Sequence, residues 1–322
     1  EFENSENIAV NEKSKKKIAI ITPWPEQQTG IANFVYKTLP YLAKYYDIDI
    51  FVDNTEEKKA HYKKNEFGNL YMISELDERH KDYAQLLYQM GNNSMYHKGI
   101  YEMLEKYPGI VEIHDYVLQP FFYHSYFLQK KYDIYKNAIE LGYGKDGTVH
   151  YENLRKKLEA PDNVHFPMSH SIVKHSTKAI FHNKWSANQM SNEDKVYVIP
   201  LPAIESAKIE KEQQQKLEKI MKQKIAWKET DTVIGCLGFV NANKRPEKII
   251  EAVENIINDG YNVKLVFWGK AADTSIQKMI NMKKLNDKVF IMGYLEKDEY
   301  ETGIKLSDII VNLRYPSMGE SS

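Results

Sequence analysis

A chain of 322 residues, 42% apolar and 28% charged, can bury two hydrophobic cores, and it holds no apolar run near the roughly 20 residues that cross a bilayer. With 44 basic and 45 acidic residues the formal charge is -1, so no whole-chain field draws in nucleic acid or anionic lipid. The single cysteine, Cys236, excludes an internal disulfide and any multi-cysteine metal site, and fits a reducing, cytoplasmic compartment.

Residues 1–16 read as a linker or tag remnant, with Lys15-Lys16-Lys17 a solvated lead-in to a strand. The apolar run Ile18-Ala19-Ile20-Ile21 then predicts a buried first strand, ended by Thr22-Pro23-Trp24-Pro25. After Gly30, the spacing of Ile31, Phe34, Val35, Leu39 and Leu42 predicts an amphipathic helix, and Ile48 to Val52 a second strand. Strand, loop, helix and strand make a right-handed βαβ unit, the building block of a doubly wound sheet. Ile110 to Ile113 predicts another strand, with His114 and Asp115 at its carboxyl end, where ligand crevices form. Tyr116 to Leu158 predicts helices inserted over that crevice. Short strands follow at Ala179 to Phe181 and Val196 to Ile199, closed by Pro200-Leu201-Pro202.

The boundary is expected near Pro202, giving domains 17–202 and 203–322. The charged stretch from Glu205 to Lys228 has a helical composition. Strands at Val233 to Leu237, Val263 to Trp268, Val289 to Ile291 and Ile309 to Val311 then alternate with helices at Pro246 to Ile257 and Ile276 to Leu285. The fold class expected is α/β, two Rossmann-like domains with a cleft between them.

Four segments carry candidate chemistry. The loop from Thr22 to Ala32 leads into a helix start at Gly30, where free N–H groups and the helix dipole favour a diphosphate; taken alone, such a glycine is more often simple turn chemistry. His114 suits a sugar hydroxyl, with Asp115 fixing the loop or the tautomer; the alternative is a buried histidine satisfied by backbone. Lys244 and Arg245 stand beside the helix-starting Pro246, suited to a leaving diphosphate, with Lys244 the preferred contact. Glu320, following the last strand, is placed to meet sugar hydroxyls or charge developing at an anomeric carbon, although it also reads as an ordinary helix-start glutamate. No histidine spacing fits a zinc signature, and Asp47-Ile48-Asp49 is expected to face solvent at a strand start, so no metal site is expected.

Taken together, Pro23-Trp24-Pro25 with Thr29-Gly30-Ile31-Ala32, Val111 to Asp115, Val198 to Pro202, Asn243-Lys244-Arg245-Pro246 and Pro316 to Ser322 resemble glycosyltransferase family 4, in the family's order. The resemblance implies a GT-B fold and transfer of a sugar from a nucleotide-diphosphate donor, with retention of configuration, to a glycan, lipid-linked or protein acceptor in cell-surface polysaccharide or glycoconjugate synthesis. It places Gly30, Lys244 and Arg245 at the donor diphosphate, His114 at the donor sugar, and Gly293-Tyr294-Leu295 at the base. Thr29, Ile31 and Asp115 fall on the acceptor-side loop, and Glu320 is the first glutamate of a paired motif. The partners implied are the donor and a carbohydrate or glycoconjugate acceptor, with no cofactor, no metal and no nucleic acid; peripheral membrane association of the parent protein stays open. Two departures stand out: Phe239, not arginine, follows Gly238, and the chain stops two residues past Glu320. The second acidic position is therefore expected beyond Ser322, the second domain is expected to be incomplete, and the 322-residue form is expected to be inactive. The alternatives by function are a non-catalytic GT-B binding or scaffold module and a nucleotide-sugar epimerase.

Overall fold

Lys16–Ile21 forms β1, and from Ile18 onward its residues are buried, because strands of a parallel sheet are covered on both faces. The computed structural model describes residues 15–27, 29–53, 66–190, 194–202 and 209–315. The chain divides into two compact units with the break at 204/205.

In the first unit, β1 pairs in parallel with β2 (Tyr46–Val52) and, on its other side, with β4 (Gln85–Met90). With β3 (Gly68–Met72), β5 (Ile110–Ile113), β6 (Lys178–Phe181) and β7 (Val196–Val198), the order is β3-β2-β1-β4-β5-β6-β7. Strand order thus reverses between β1 and β4, and the crevice outside their carboxyl ends is where doubly wound sheets take ligands. Helix α1 (Gly30–Leu42) follows β1, and its Val35 and Leu39 pack with Ile18, Ile20 and Ile50. Helix α2 (Ser94–Lys106) follows β4. β3 and β4 are absent from the sequence reading, since Gly68-Asn69 and Gln89 interrupt the apolar runs that mark the other strands.

Two expectations change. Asp49 does not face solvent: it is 1% exposed and accepts from Lys17 Nζ at 2.7 Å, Tyr83 Oη at 2.8 Å and Asn69 Nδ2 at 2.9 Å. Three donors offset its desolvation, and they hold its carboxyl below the usual range although burial is the largest single effect and acts the other way. The helices after residue 116 do not overlie the crevice. Gln119–Phe122, a π-helical turn at Tyr123–Phe127, α3 (Tyr132–Arg155) and α4 (Ser169–His175) pack among themselves and on α2, with Phe121 and Phe122 against Tyr101 at ring distances of 5.7 and 5.0 Å. Aromatic residues this numerous are satisfied by one another, which draws the segment onto α2.

Among the described residues the second unit holds four parallel strands in the order β10-β9-β8-β11: β8 (Thr232–Leu237), β9 (Val263–Trp268), β10 (Val289–Ile291) and β11 (Ile309–Ile310). The reversal here falls between β8 and β11. Four helices accompany the sheet: α5 (Lys211–Lys224), α6 (Pro246–Asn258), α7 (Ser275–Met282) and α8 (Lys297–Leu306). β9 is buried throughout; its one charged residue, Lys264, reaches the Asp287 carbonyl at 2.7 Å. No described helix is long and apolar enough to cross a membrane.

At the carboxyl edge of this sheet two loops nearly touch. A Cβ on Gly269 would lie 2.1 Å from the Gly238 carbonyl oxygen, a backbone atom that cannot swing aside. Gly269→Ala should therefore destabilise the second unit by roughly 3 kcal/mol, seen in chemical denaturation as a loss confined to that unit's signal. A variant as stable as the wild type would show that the two loops move apart freely.

Candidate functional site

The switch point of the first sheet opens into a pocket of about 610 Å³ lined by Gln27, Thr29, Gly30, Phe34, Asn92 and His114 among others. Two helix starts border it. Thr29 caps α1 by accepting from Ala32 N at 3.0 Å, and Asn93 caps α2 by accepting from Met95 N at 2.9 Å. Gly30 faces open space, with nothing within 4 Å of where a Cβ would stand, so its absence of side chain leaves room rather than relieving a clash. Gly91 is the tight position: a Cβ there would meet Ile31 Cδ1 at 2.4 Å and His97 Nε2 at 2.9 Å. Asp115 accepts from Asn92 N at 2.9 Å, which ties the loop after β4 to the end of β5.

Beneath the pocket lies a polar layer. Gln89 donates from Nε2 to Glu112 Oε2 at 2.7 Å, which turns its carbonyl oxygen to His114 Nε2 at 2.6 Å. With Glu112 ionised that orientation is required, because the flipped amide would set its oxygen against the carboxylate. His114 Nε2 therefore carries the hydrogen. His182 Nδ1 faces the Ile199 carbonyl at 3.0 Å and must donate there. The remaining nitrogens, His114 Nδ1 and His182 Nε2, face each other at 3.2 Å, and Glu112 Oε1 stands 3.6 Å from His182 Nε2. Burial, then the charge of His182, push the His114 pKa well below its ordinary value; burial raises that of Glu112 against the bond from Gln89. Both ring nitrogens of His114 thus have partners inside the protein, and to bond a sugar hydroxyl it must exchange one of them.

In the second unit the switch point lies between the loops after β8 and β11. Gly238 takes a positive φ of 74°, and a Cβ there would stand 3.2 Å from Lys244 Nζ. Lys244 is 7% exposed and donates to the Leu237 carbonyl. Burial, and then the nearby charge of Arg314, lower its pKa. Arg245 is half-buried at a left-handed φ of 49°, lies 3.8 Å from Glu247 and covers the Tyr315 ring at 4.8 Å. Tyr315 N donates to the Asn243 carbonyl at 2.9 Å, tying the loop after β11 to the one after β8. Gly293 has a φ of 76° and Tyr294 is exposed, whereas Leu295 packs against the cluster around Trp268. Glu320 lies outside the described residues.

The sequence reading misses Gln89, Asn92, His97, His182 and Arg314 as site residues. Asn93-Ser94 after the apolar run to Met90 is a helix-start signal that could have located the second crossover. His182 has no such signal, because 68 residues separate it from His114. The fold also brings together Glu112, His114 and His182, with one ligand atom of each within 4.8 Å of the others, a grouping no histidine spacing predicts.

Residues 218–320 match the family model of glycosyl transferases group 1. No curated protein sequence matches the chain. Among solved structures it is similar to HepE from Anabaena in complex with UDP and glucose, at 13% identity and a TM-score of 0.53, covering 93% of this chain and 74% of that one. It is similar also to the catalytic domain of starch synthase IV from Arabidopsis thaliana bound to ADP and acarbose, at 13% identity and a TM-score of 0.51, covering 93% and 78%. A third is WaaG, a glycosyltransferase involved in lipopolysaccharide biosynthesis, at 12% identity and a TM-score of 0.50, covering 94% and 76%. The fold is that of the GT-B glycosyltransferases, with two Rossmann-like units, and the matched residues include β8, the Lys244 loop and β11.

One residue lining the first pocket gives a pH test. His97, buried and bonded through Nδ1 to the Gln89 carbonyl at 3.2 Å, has its pKa pushed down by burial to about 4. A depressed histidine leaves stability intact above the unfolded value near 6.5 and removes it as pH falls from there to about 4, by up to about 3 kcal/mol. His97→Asn keeps a donor and should flatten the fall in melting temperature over that window; an unchanged slope would assign the acid sensitivity elsewhere.

Proposed function

We propose that the protein transfers a sugar from a nucleotide-diphosphate donor to a glycan, lipid-linked or protein acceptor, with retention of configuration, in the synthesis of cell-surface polysaccharide or glycoconjugate. The observation that carries this reading is the buried Lys244 at the second switch point, beside Arg314 and a glycine loop, in a segment that matches glycosyl transferases group 1. Burying an ammonium near a second cation is unfavourable in the free protein, and a diphosphate supplies the missing negative charge.

In this reading Lys244, Arg314 and Arg245 hold the diphosphate, while the exposed Tyr294 ring and the backbone of Gly293 and Leu295 meet the base. The pocket of the first unit takes acceptor and sugar hydroxyls through Thr29, Asn92 and Asn93, with Gly30 leaving room for the phosphates and His114 forming the wall against the sugar. Ile31 and Asp115 hold the loop in shape. The bond from the anomeric carbon to the diphosphate oxygen breaks as the acceptor oxygen bonds to that carbon on the same face, and the acceptor proton passes to the departing phosphate. Glu320, by its resemblance, would steady the donor sugar. The cations take over the charge neutralisation a divalent metal performs elsewhere, so holding the diphosphate needs no metal.

Lys244→Ala should weaken binding of a nucleoside diphosphate by about tenfold to a hundredfold, the worth of one charge-assisted contact, and leave nucleoside binding unchanged. Calorimetric titration with both ligands, with and without EDTA, checks this. Equal losses for the two ligands would remove Lys244 from the phosphate site, and loss of nucleoside diphosphate binding in EDTA would overturn the metal-free reading of the diphosphate site.

A further inference from the structure

The polar layer under the first pocket holds an unbalanced arrangement. The tautomers are set from outside: Gln89 fixes the hydrogen of His114 on Nε2, and the Ile199 carbonyl fixes that of His182 on Nδ1. With Glu112 ionised, two neutral rings so fixed present lone pairs to each other at 3.2 Å, a contact that requires a positive charge between them. A proton there would serve only the two nitrogens. Glu112 Oε1, at 3.6 Å from His182 Nε2, is beyond hydrogen-bond reach, and its partner oxygen is already taken by Gln89.

We propose that Glu112, His114 and His182 bind a divalent transition-metal ion, zinc by preference, through Oε1, Nδ1 and Nε2. A metal satisfies all three donors at once. Ligands about 2.0–2.2 Å from a tetrahedral zinc lie roughly 3.3–3.5 Å from each other; the two distances to His182 Nε2 are 3.2 and 3.6 Å, and the three ligand atoms all lie within 4.8 Å of one another. Each ligand also has the outer partner a metal ligand needs: a carboxamide oxygen for His114, a backbone carbonyl for His182, and the amide hydrogens of Gln89 for Glu112. Two imidazoles and one carboxylate suit zinc, not magnesium or calcium, which take oxygen ligands. Among the described residues this is the one grouping of histidine, cysteine and carboxylate side chains with such convergence.

The site joins the carboxyl ends of β5 and β6, whose register sets Glu112 opposite Ile180 and Ile113 opposite Phe181. The His182 side chain is 4% exposed and that of Glu112 13%, so the ion would be enclosed on most sides. Three protein ligands leave a fourth position for water or a ligand hydroxyl, and His114 lines the pocket. The inference rests on these contacts and not on the glycosyl-transfer reading, and the diphosphate site of the second unit contributes no residue to it.

The test is metal binding by the whole chain without an affinity tag. After loading with zinc and dialysis, elemental analysis should find about one zinc per chain, with a raised melting temperature that EDTA reverses. Cobalt in its place should give the visible absorption of a tetrahedral ion. Glu112→Gln and His182→Gln should abolish stoichiometric binding while keeping the far-ultraviolet spectrum of the fold. Gln89→Leu, which removes the outer partner of two ligands, should weaken zinc about tenfold to a hundredfold. His165→Ala, at the distant pair with Asp162, should change nothing. Zinc content near zero in the wild type, or binding that survives both ligand substitutions or depends on His165, would overturn the proposal; a nitrogen spectrum showing a proton shared by His114 and His182 in zinc-loaded protein would do the same.

Discussion

Parallel pairing is the constraint from which the rest of this structure follows. A parallel strand needs a crossover to return to the same edge, the crossover is right-handed, and helices then cover both faces of the sheet. Polar chemistry is left only the strand ends. In each sheet the order of strands reverses once, between β1 and β4 and between β8 and β11, and there neighbouring crossovers leave on opposite sides of the sheet. Thr29, Asn92 and His114 gather at the first reversal, Gly238, Lys244 and Arg314 at the second.

Buried charge takes two forms in the first unit, and the difference separates scaffold from site. Asp49 receives three donors, from Lys17, Asn69 and Tyr83, and has nothing further to offer a ligand. A pair so completed holds β1, β2 and β3 in register and the loop before β4 in place. Glu112, His114 and His182 each have an outer partner and each keep an inner donor atom aimed at the same small space. Desolvating three such groups without completing their bonds costs stability.

Lys244 belongs with the second form. Its ammonium rests on a backbone carbonyl where β8 ends, with the charge of Arg314 nearby, and burial lowers its pKa. An anion entering beside Gly238 would reverse both effects, because it returns the solvation that burial removed and separates the like charges. In this loop Gly238 and Arg245 hold positive φ, and Tyr315 ties the loop after β11 to Asn243.

Much of this fold was legible in the sequence, because β1, β2, β5, β8, β9 and β10 are apolar runs ended by Gly, Pro or polar residues, and a buried parallel strand needs little else. The helix starts at Gly30 and Pro246, and the placing of His114, Lys244 and Arg245 at strand ends, could be read the same way, since each follows from its immediate neighbours. β3 and β4 could not, with polar residues breaking their runs, nor could the burial of Asp49, which depends on Lys17, Asn69 and Tyr83 arriving from three other segments. The sequence alone determined which residues stand at the carboxyl ends of strands, because that is a local pattern of apolar and polar residues. Only the tertiary structure decided that His182 meets His114 and Glu112, that Gln89 sets their tautomers and that Lys244 is buried beside Arg314, because those contacts join segments whose separation along the chain carries no periodic signal.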